Sequence, residues 1–296
     1  MRTKLKKWLT ALVCALVSLG IFLYLGMIVT PKDINDSGGS LYYNGMGFLA
    51  EPENSLDIIV YGNSDVYSGF RPDILLDKFG YSAYASGRML QNMKNVNDLL
   101  DKTLKCQTPK LIVLETDCFF EERSQNVSDF NMFAPTFIYH SRWKELQPRD
   151  FFQRPSRKNN VDVNKGFVGS DRVGNTDYPE DYMGDPDTEA APISAHNAKE
   201  IAEFLETARK HGIPVLMVEL PSPHSWTYAN HNAVRDLAQQ YDVPFIDLNL
   251  QREAYSMNLK TDFRDNGNHL NNSGAAKVTE YIGTYISENY GELFTN

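Results

Sequence analysis

Three side chains, widely separated in the chain, are of the types that acyl-transfer chemistry needs. Ser64 closes the short run Gly62-Asn63-Ser64. His269 stands far downstream in Asp262-Phe263-Arg264-Asp265-Asn266-Gly267-Asn268-His269-Leu270-Asn271, with Asp262 and Asp265 just ahead of it. A serine hydroxyl is a weak nucleophile until a base takes its proton, and an imidazole base needs a carboxylate to hold its tautomer. The order Ser…Asp…His supplies all three parts. Taken alone, Gly-Asn-Ser equally suits a turn or a helix N-cap. The distant Asp and His give the serine a chemical reading.

The elements around these residues place them well. Residues 58–61 (Ile-Ile-Val-Tyr) read as a buried strand that stops at the turn-forming Gly62-Asn63-Ser64. Pro72 opens a helix with Ile74, Leu75 and Phe79 at helical spacing. A serine at the carboxyl end of a buried strand sits where open α/β sheets put their sites. Downstream, strands are expected near 81–85, 110–116, 214–220 and 244–248, and helices near 88–105, 196–211 (closed by Gly212), 228–241 and 273–290. Met89, Leu90, Met93, Val96, Leu99, Leu100 and Leu104 form a helical stripe that reads as core packing. This alternation predicts an α/β fold, a three-layer sandwich around a mostly parallel central sheet. The loop 221–226 follows a strand and should line the site, making Trp226 and His224 candidate pocket walls. His224 is a rival base without a matched carboxylate nearby.

Two stretches break the rhythm. Residues 31–55, with Pro31, Gly38-Gly39-Ser40 and Pro52, read as a linker. Residues from about 119 to 193 read as an insertion over the mouth of the site; they hold the aromatic-rich 130–139, then Arg154, Arg157 and Lys158, then Asp-rich sequence. The acidic part matches no EF-hand loop, so a solvated loop is expected, and no metal.

Several blocks together resemble the SGNH/GDSL-type hydrolases, and within them the membrane-anchored Gram-positive branch that includes the teichoic-acid D-alanylation protein DltD. The resemblance covers about residues 56–290. Gly62-Asn63-Ser64-Asp65-Val66-Tyr67-Ser68-Gly69 is similar to the first block, with Ser64 as nucleophile. Tyr81-Ser82-Ala83-Tyr84-Ala85-Ser86-Gly87 is similar to the second, which implies that the Gly87 N–H faces the oxyanion. Leu114-Glu115-Thr116-Asp117 falls at the third block, with Thr116 where that family has an asparagine donor. His269-Leu270-Asn271 resembles the fifth block, with His269 as base. The family's aspartate lies three residues before the histidine, a place held here by Asn266. Asp265 is favoured over Asp262 on reach, if Gly267 or Asn268 bulges the turn. The resemblance implies an SGNH/flavodoxin-like sheet and a serine esterase or O-acyltransferase acting on an acyl ester of a cell-envelope polymer or glycan. It also implies a membrane partner of the acyl-transporting MBOAT type and no cofactor. The alternative is a catalytically impaired SGNH-like envelope module that binds glycan or a membrane partner.

The totals agree with one large domain behind an anchor. The chain has 296 residues, 42% apolar and 23% charged, and a net charge of −9. Arg2, Lys4, Lys6 and Lys7 are the charges of the first thirty residues, so −13 is left on the remainder. Such a body is a poor nucleic-acid binder. From Trp8 to about Val29 the chain is apolar and uncharged, about the twenty residues that span a bilayer. The cations ahead of it predict that residues 1–30 hold a cytoplasmic basic tip and a transmembrane anchor, with the body, 56–296, outside the membrane; the resemblance implies a Gram-positive surface. An uncleaved anchor is expected rather than a signal peptide, because no small-x-small site closes the run. Cys106 and Cys118 flank a strand and should lie too far apart to bridge.

Overall fold

The computed structural model describes residues 2–33, 36–39, 45–122, 135–156, 161–175 and 177–295. The chain divides into two compact units: residues 44–122 with 161–296, and residues 1–43 with 123–160.

The larger unit is built on five parallel strands, β1 (Ile58–Gly62), β2 (Ala83–Gly87), β3 (Leu111–Glu115), β4 (Val215–Glu219) and β5 (Phe245–Asp247). Their order is β2-β1-β3-β4-β5, the flavodoxin-like arrangement. Nearly every strand residue is buried, as a parallel sheet covered on both faces requires. Successive side chains point to opposite faces. Ile59, Tyr61, Ile112, Leu114 and Met217 pack under helices α4 (Met93–Thr103), α5 (Ala195–Lys210) and α6 (Tyr228–Tyr241). Ile58, Val60, Leu111, Val113 and Leu216 pack under α2 (Ser64–Gly69), α3 (Pro72–Phe79) and α7 (Asn272–Tyr290). The expected three-layer sandwich is therefore present. The chain leaves β1 toward β2 on one side and returns to β3 on the other, so the carboxyl ends of β1 and β3 mark the switch point where such sheets hold ligands.

The linker reading of 31–55 is corrected. Residues 45–55 belong to the larger unit, where Met46 and Phe48 are buried and Phe48 meets Tyr84 edge to face. The Gln107 carboxamide accepts the N–H groups of Ser55 and Leu56 and donates to the Pro52 carbonyl. Proline and glycine content suggests a spacer; buried Met46 and Phe48 make residues 45–55 part of the packed core. Ser40, also read as linker, lies outside the described residues.

The insertion also divides. Residues 161–193 stay with the larger unit, whereas 123–160 join the N-terminal helix in the smaller one. There α1 (Arg2–Val29) carries a 26-residue stretch long and apolar enough to cross a membrane. A helical turn, Pro135–Ile138, and two 3₁₀ turns, His140–Lys144 and Pro148–Phe151, fold against its C-terminal part. Arg142 donates to the Val29 carbonyl, and Lys32 donates to the carbonyls of Met27 and Thr30, satisfying orphan acceptors at the helix end. Asp150, fully buried, and Asp36 face Arg142; Arg149 pairs with Asp36 at 2.6 Å. Residues 130–134, Arg157 and Lys158 lie outside the described residues.

Candidate active site

Ser64 is the first residue of α2, directly beyond β1. Asn63 caps this helix by accepting the Asp65 N–H at 2.8 Å. The turn is held from the neighbouring strand. Glu115, at the end of β3, accepts the Asn63 N–H through Oε2 at 3.1 Å and the Asp117 N–H through Oε1 at 2.7 Å. Asn63 Nδ2 then donates to Asp117 Oδ2 at 2.5 Å. The serine turn and the turn after β3 are thus bound together.

Gly87 ends β2 and stands opposite Gly62 in register. A Cβ at Gly87 would lie 2.5 Å from the Asn63 carbonyl oxygen and 2.9 Å from Tyr67 N. Only glycine lets the β2 end come this close to the serine turn.

His269 sits in a loop closed by the antiparallel bridge between Phe263 and Leu270. Its Nδ1 is 2.6 Å from Asp265 Oδ2, and Asp265 Oδ1 accepts the backbone N–H groups of His269 (2.8 Å) and Asn268 (2.9 Å). Gly267, at φ +74°, takes up the extra residue in the turn, and its N–H donates to the Asp265 carbonyl. Partial burial acts to raise the Asp265 carboxyl, but the bonds from His269 and Asn268 outweigh it and hold it below its ordinary value. With Nδ1–H turned to Asp265, Nε2 is the nitrogen left to accept a proton. Asp262 does other work: buried, it accepts from the Asn258 N–H, Ser273 Oγ and Lys277 Nζ, and so fastens the start of α7.

Tyr67, one turn beyond Ser64 on α2, joins the two halves. Its ring lies nearly parallel to the His269 ring with centroids 6.4 Å apart. Arg264 covers its other surroundings, 5.7 Å from the ring centre. Burial raises the Tyr67 phenol above its ordinary value, with Arg264 and the Ser64 side chain acting against it. Residues 168–174 run beside both halves. The Val168 N–H donates to the Tyr67 carbonyl, Arg264 donates to the Val168 carbonyl, and the Gly174 N–H donates to the Phe263 carbonyl. A Cβ on Gly174 would strike the Asp265 backbone at 2.3 Å. The His224 N–H braces the same loop by donating to Gly267, while its ring meets the Tyr178 hydroxyl at 2.9 Å.

Neither the family-model scan nor the search of curated proteins finds a match to this sequence. Among solved structures the chain is similar to an acetyl xylan esterase (14% identity, covering 77% of this chain and 99% of that one, TM-score 0.42). It is also similar to a lipase/acylhydrolase from Enterococcus faecalis (10%, 79% and 96%, TM-score 0.41). A third is a psychrotrophic esterase from a Pseudoalteromonas species (8%, 81% and 100%, TM-score 0.41). At such low identity a shared chain path does not carry a shared activity, which has to come from the site itself.

Two expectations for the site are corrected. Thr116 is fully buried, and its hydroxyl donates to Glu219 Oε2 on β4 at 2.6 Å, so it is not turned to an oxyanion. Trp226 is buried, not an exposed wall. It lies in the core beside Phe120 and donates its indole N–H to Asp247 at 2.9 Å. The driving cause in both cases is a buried carboxylate on a neighbouring strand that needs a donor.

The sequence reading missed Tyr67 and a carboxylate trio. Oxygens of Asp65, Glu115 and Asp117 lie within 4.8 Å of one another. Burial, then the Asp117 charge, pushes Glu115 up to about 8. Asp65 is raised well above its ordinary value by burial and by Glu115, and Asp117 is raised mainly by burial. Crowded carboxylates relieve their repulsion by holding protons, and the same oxygens are donors a hard cation accepts. The available signal was two acids at the end of β3 and one after Ser64, beside a switch point.

Proposed function

We propose that this chain is a membrane-anchored serine esterase or O-acyltransferase of the SGNH type, acting outside the membrane on an acyl ester of a cell-envelope polymer or glycan. The observation that carries the reading is the 2.6 Å Asp265–His269 bond, with the His269 ring lying nearly parallel to that of Tyr67 on the helix that Ser64 begins. In this mechanism the Ser64 hydroxyl turns toward His269 Nε2, gives up its proton and attacks the ester carbonyl. Catalytic hydrogen bonds often tighten only in the Michaelis complex. The N–H groups of Ser64 and Gly87 meet the oxyanion. With Thr116 bound to Glu219, the hole has two donors instead of three. A missing donor costs about 3 kcal/mol of transition-state stabilisation, so simple esters turn over slowly. His269 then protonates the leaving alcohol, and water or a sugar hydroxyl takes the acyl group from Ser64.

The apolar α1 supports single-pass anchoring, with the basic tip in the cytoplasm and the larger unit on the surface of a Gram-positive cell. The resemblance to the D-alanylation branch adds an MBOAT-type membrane partner that delivers the acyl group.

A non-catalytic envelope module is the second reading, favoured by one observation: three carboxylates crowd around the serine turn. Full-length protein in detergent separates the two. A fluorophosphonate probe is expected to label wild type and not Ser64→Ala, alongside slow hydrolysis of p-nitrophenyl acetate. Equal labelling of both proteins, or of neither, selects the binding module.

A further inference from the structure

Among its described residues, the smaller unit shows large apolar side chains at one place outside α1. Trp143 is 64% exposed and Phe152 85%, with Phe137 and Phe151 also exposed. All four lie within residues 135–156, which fold on the C-terminal part of α1. The contacts fix the level along the helix. Phe137 meets the Phe22 ring at 5.7 Å, Thr136 Oγ1 donates to the Phe22 carbonyl, and the Tyr24 hydroxyl donates to the Phe151 carbonyl. Counting from Trp8, the roughly twenty residues a helix needs to cross the hydrocarbon end near Met27. Phe22 and Tyr24 therefore sit in the last turns of the span. An ionic cluster of the segment is turned inward, where Arg142 and Asp150 are buried with Lys32 and Asp36 at the helix end. Outside, the aromatics have cations among polar neighbours: Lys144 lies 5.6 Å from the Trp143 ring centre, and Arg154 is exposed, as are Glu145, Gln147 and Gln153.

We propose that residues 135–156 form a collar seated in the headgroup region of the lipid bilayer at the outer end of α1, with Trp143, Phe151 and Phe152 entering the interface. Aromatic rings with an apolar body and a polar edge concentrate at this depth, and cationic side chains snorkel to the headgroups. Exposed to water, the same patch would be an aggregation hazard. Continuity with the apolar surface of α1 makes lipid the occupant. This inference rests on α1 spanning the bilayer, and the experiment reads the two claims separately.

Full-length protein is reconstituted into phosphatidylcholine vesicles whose acyl chains are brominated either near the headgroup or near the chain end. Two variants are compared: Trp8→Phe, which reports Trp143, and Trp143→Phe, which reports Trp8. Trp226 is buried and common to both. Trp143 emission should be quenched by the shallow bromine more than by the deep one, and should resist aqueous iodide. If Trp8 is quenched by lipid while Trp143 is quenched only by iodide, the collar is refuted and the anchor stands. If bromine quenches neither, the anchor fails as well. Protection of Trp143 from iodide in native membranes but not in pure lipid would also overturn the proposal, and would assign the patch to a protein partner.

Discussion

Asp265 and Asp262 are three residues apart and make opposite predictions when their charge is removed. In Asp265→Asn, the remaining Oδ1 still accepts the N–H groups of His269 and Asn268, so the loop keeps its backbone bonds. The new amide faces His269 Nδ1 and donates to it. That forces the proton onto Nε2, the nitrogen that must accept from Ser64. The equivalent change in serine proteases costs about 10⁴-fold in kcat. A loss of about 10³ to 10⁴ is expected here, or about 4–5.5 kcal/mol of barrier at 1.36 kcal/mol per tenfold, with KM and Tm little changed. Asp262→Asn should do the reverse. It turns a donor toward some of the donors now served by a buried carboxylate, namely the Asn258 N–H, Ser273 Oγ and Lys277 Nζ. Leaving such a group unsatisfied costs about 1–3 kcal/mol. In a unit of this size that lowers Tm by about 2–12 °C, with kcat changed little. Steady-state hydrolysis of p-nitrophenyl acetate and thermal unfolding of the same detergent preparations read both arms. Folded Asp265→Asn with kcat within about tenfold of wild type would sink the triad. So would a larger kcat loss in Asp262→Asn than in Asp265→Asn.

Gly87→Ala puts a methyl 2.5 Å from the Asn63 carbonyl oxygen and 2.7 Å from Val66 Cβ. Overpacking of this kind costs about 1–3 kcal/mol and shifts the serine turn, so fluorophosphonate labelling of Ser64 should slow; a folded variant labelled at the wild-type rate would contradict the assigned place of Gly87. Glu115 has its folded value raised from 4.5 to about 8, so the folded state binds the extra proton. Its contribution to stability is full below 4.5 and is lost as pH rises toward about 8. Glu115→Gln cannot titrate, and its Tm should decline less than that of wild type across this window; parallel Tm curves would show that Glu115 titrates normally.

Much of the framework was legible in the residues. Continuous apolar runs such as Ile58–Gly62 and Val215–Glu219 became the buried parallel strands, and the stripe through Val96, Leu99 and Leu100 became a core helix face. Asp265 and His269 meet because a left-handed glycine, Gly267, absorbs one extra residue between bridge ends, and that glycine is visible in the sequence. These features depend on period, volume and turn chemistry, which act between near neighbours. The rest depends on which polar groups compete for the same partner once distant strands are adjacent. Thr116 went to Glu219 because β3 lies beside β4, and Trp226 to Asp247 on β5. The Asp65–Glu115–Asp117 cluster exists because the ends of β1 and β3 meet at the switch point. The packing of residues 135–156 on α1 is a choice between apolar partners that no local pattern records. The sequence by itself determined the layers and the chemical identity of the candidate nucleophile, base and acid; the tertiary structure alone decided what each polar side chain spends its hydrogen bonds on, because burial makes every such bond a competition among residues far apart in the chain.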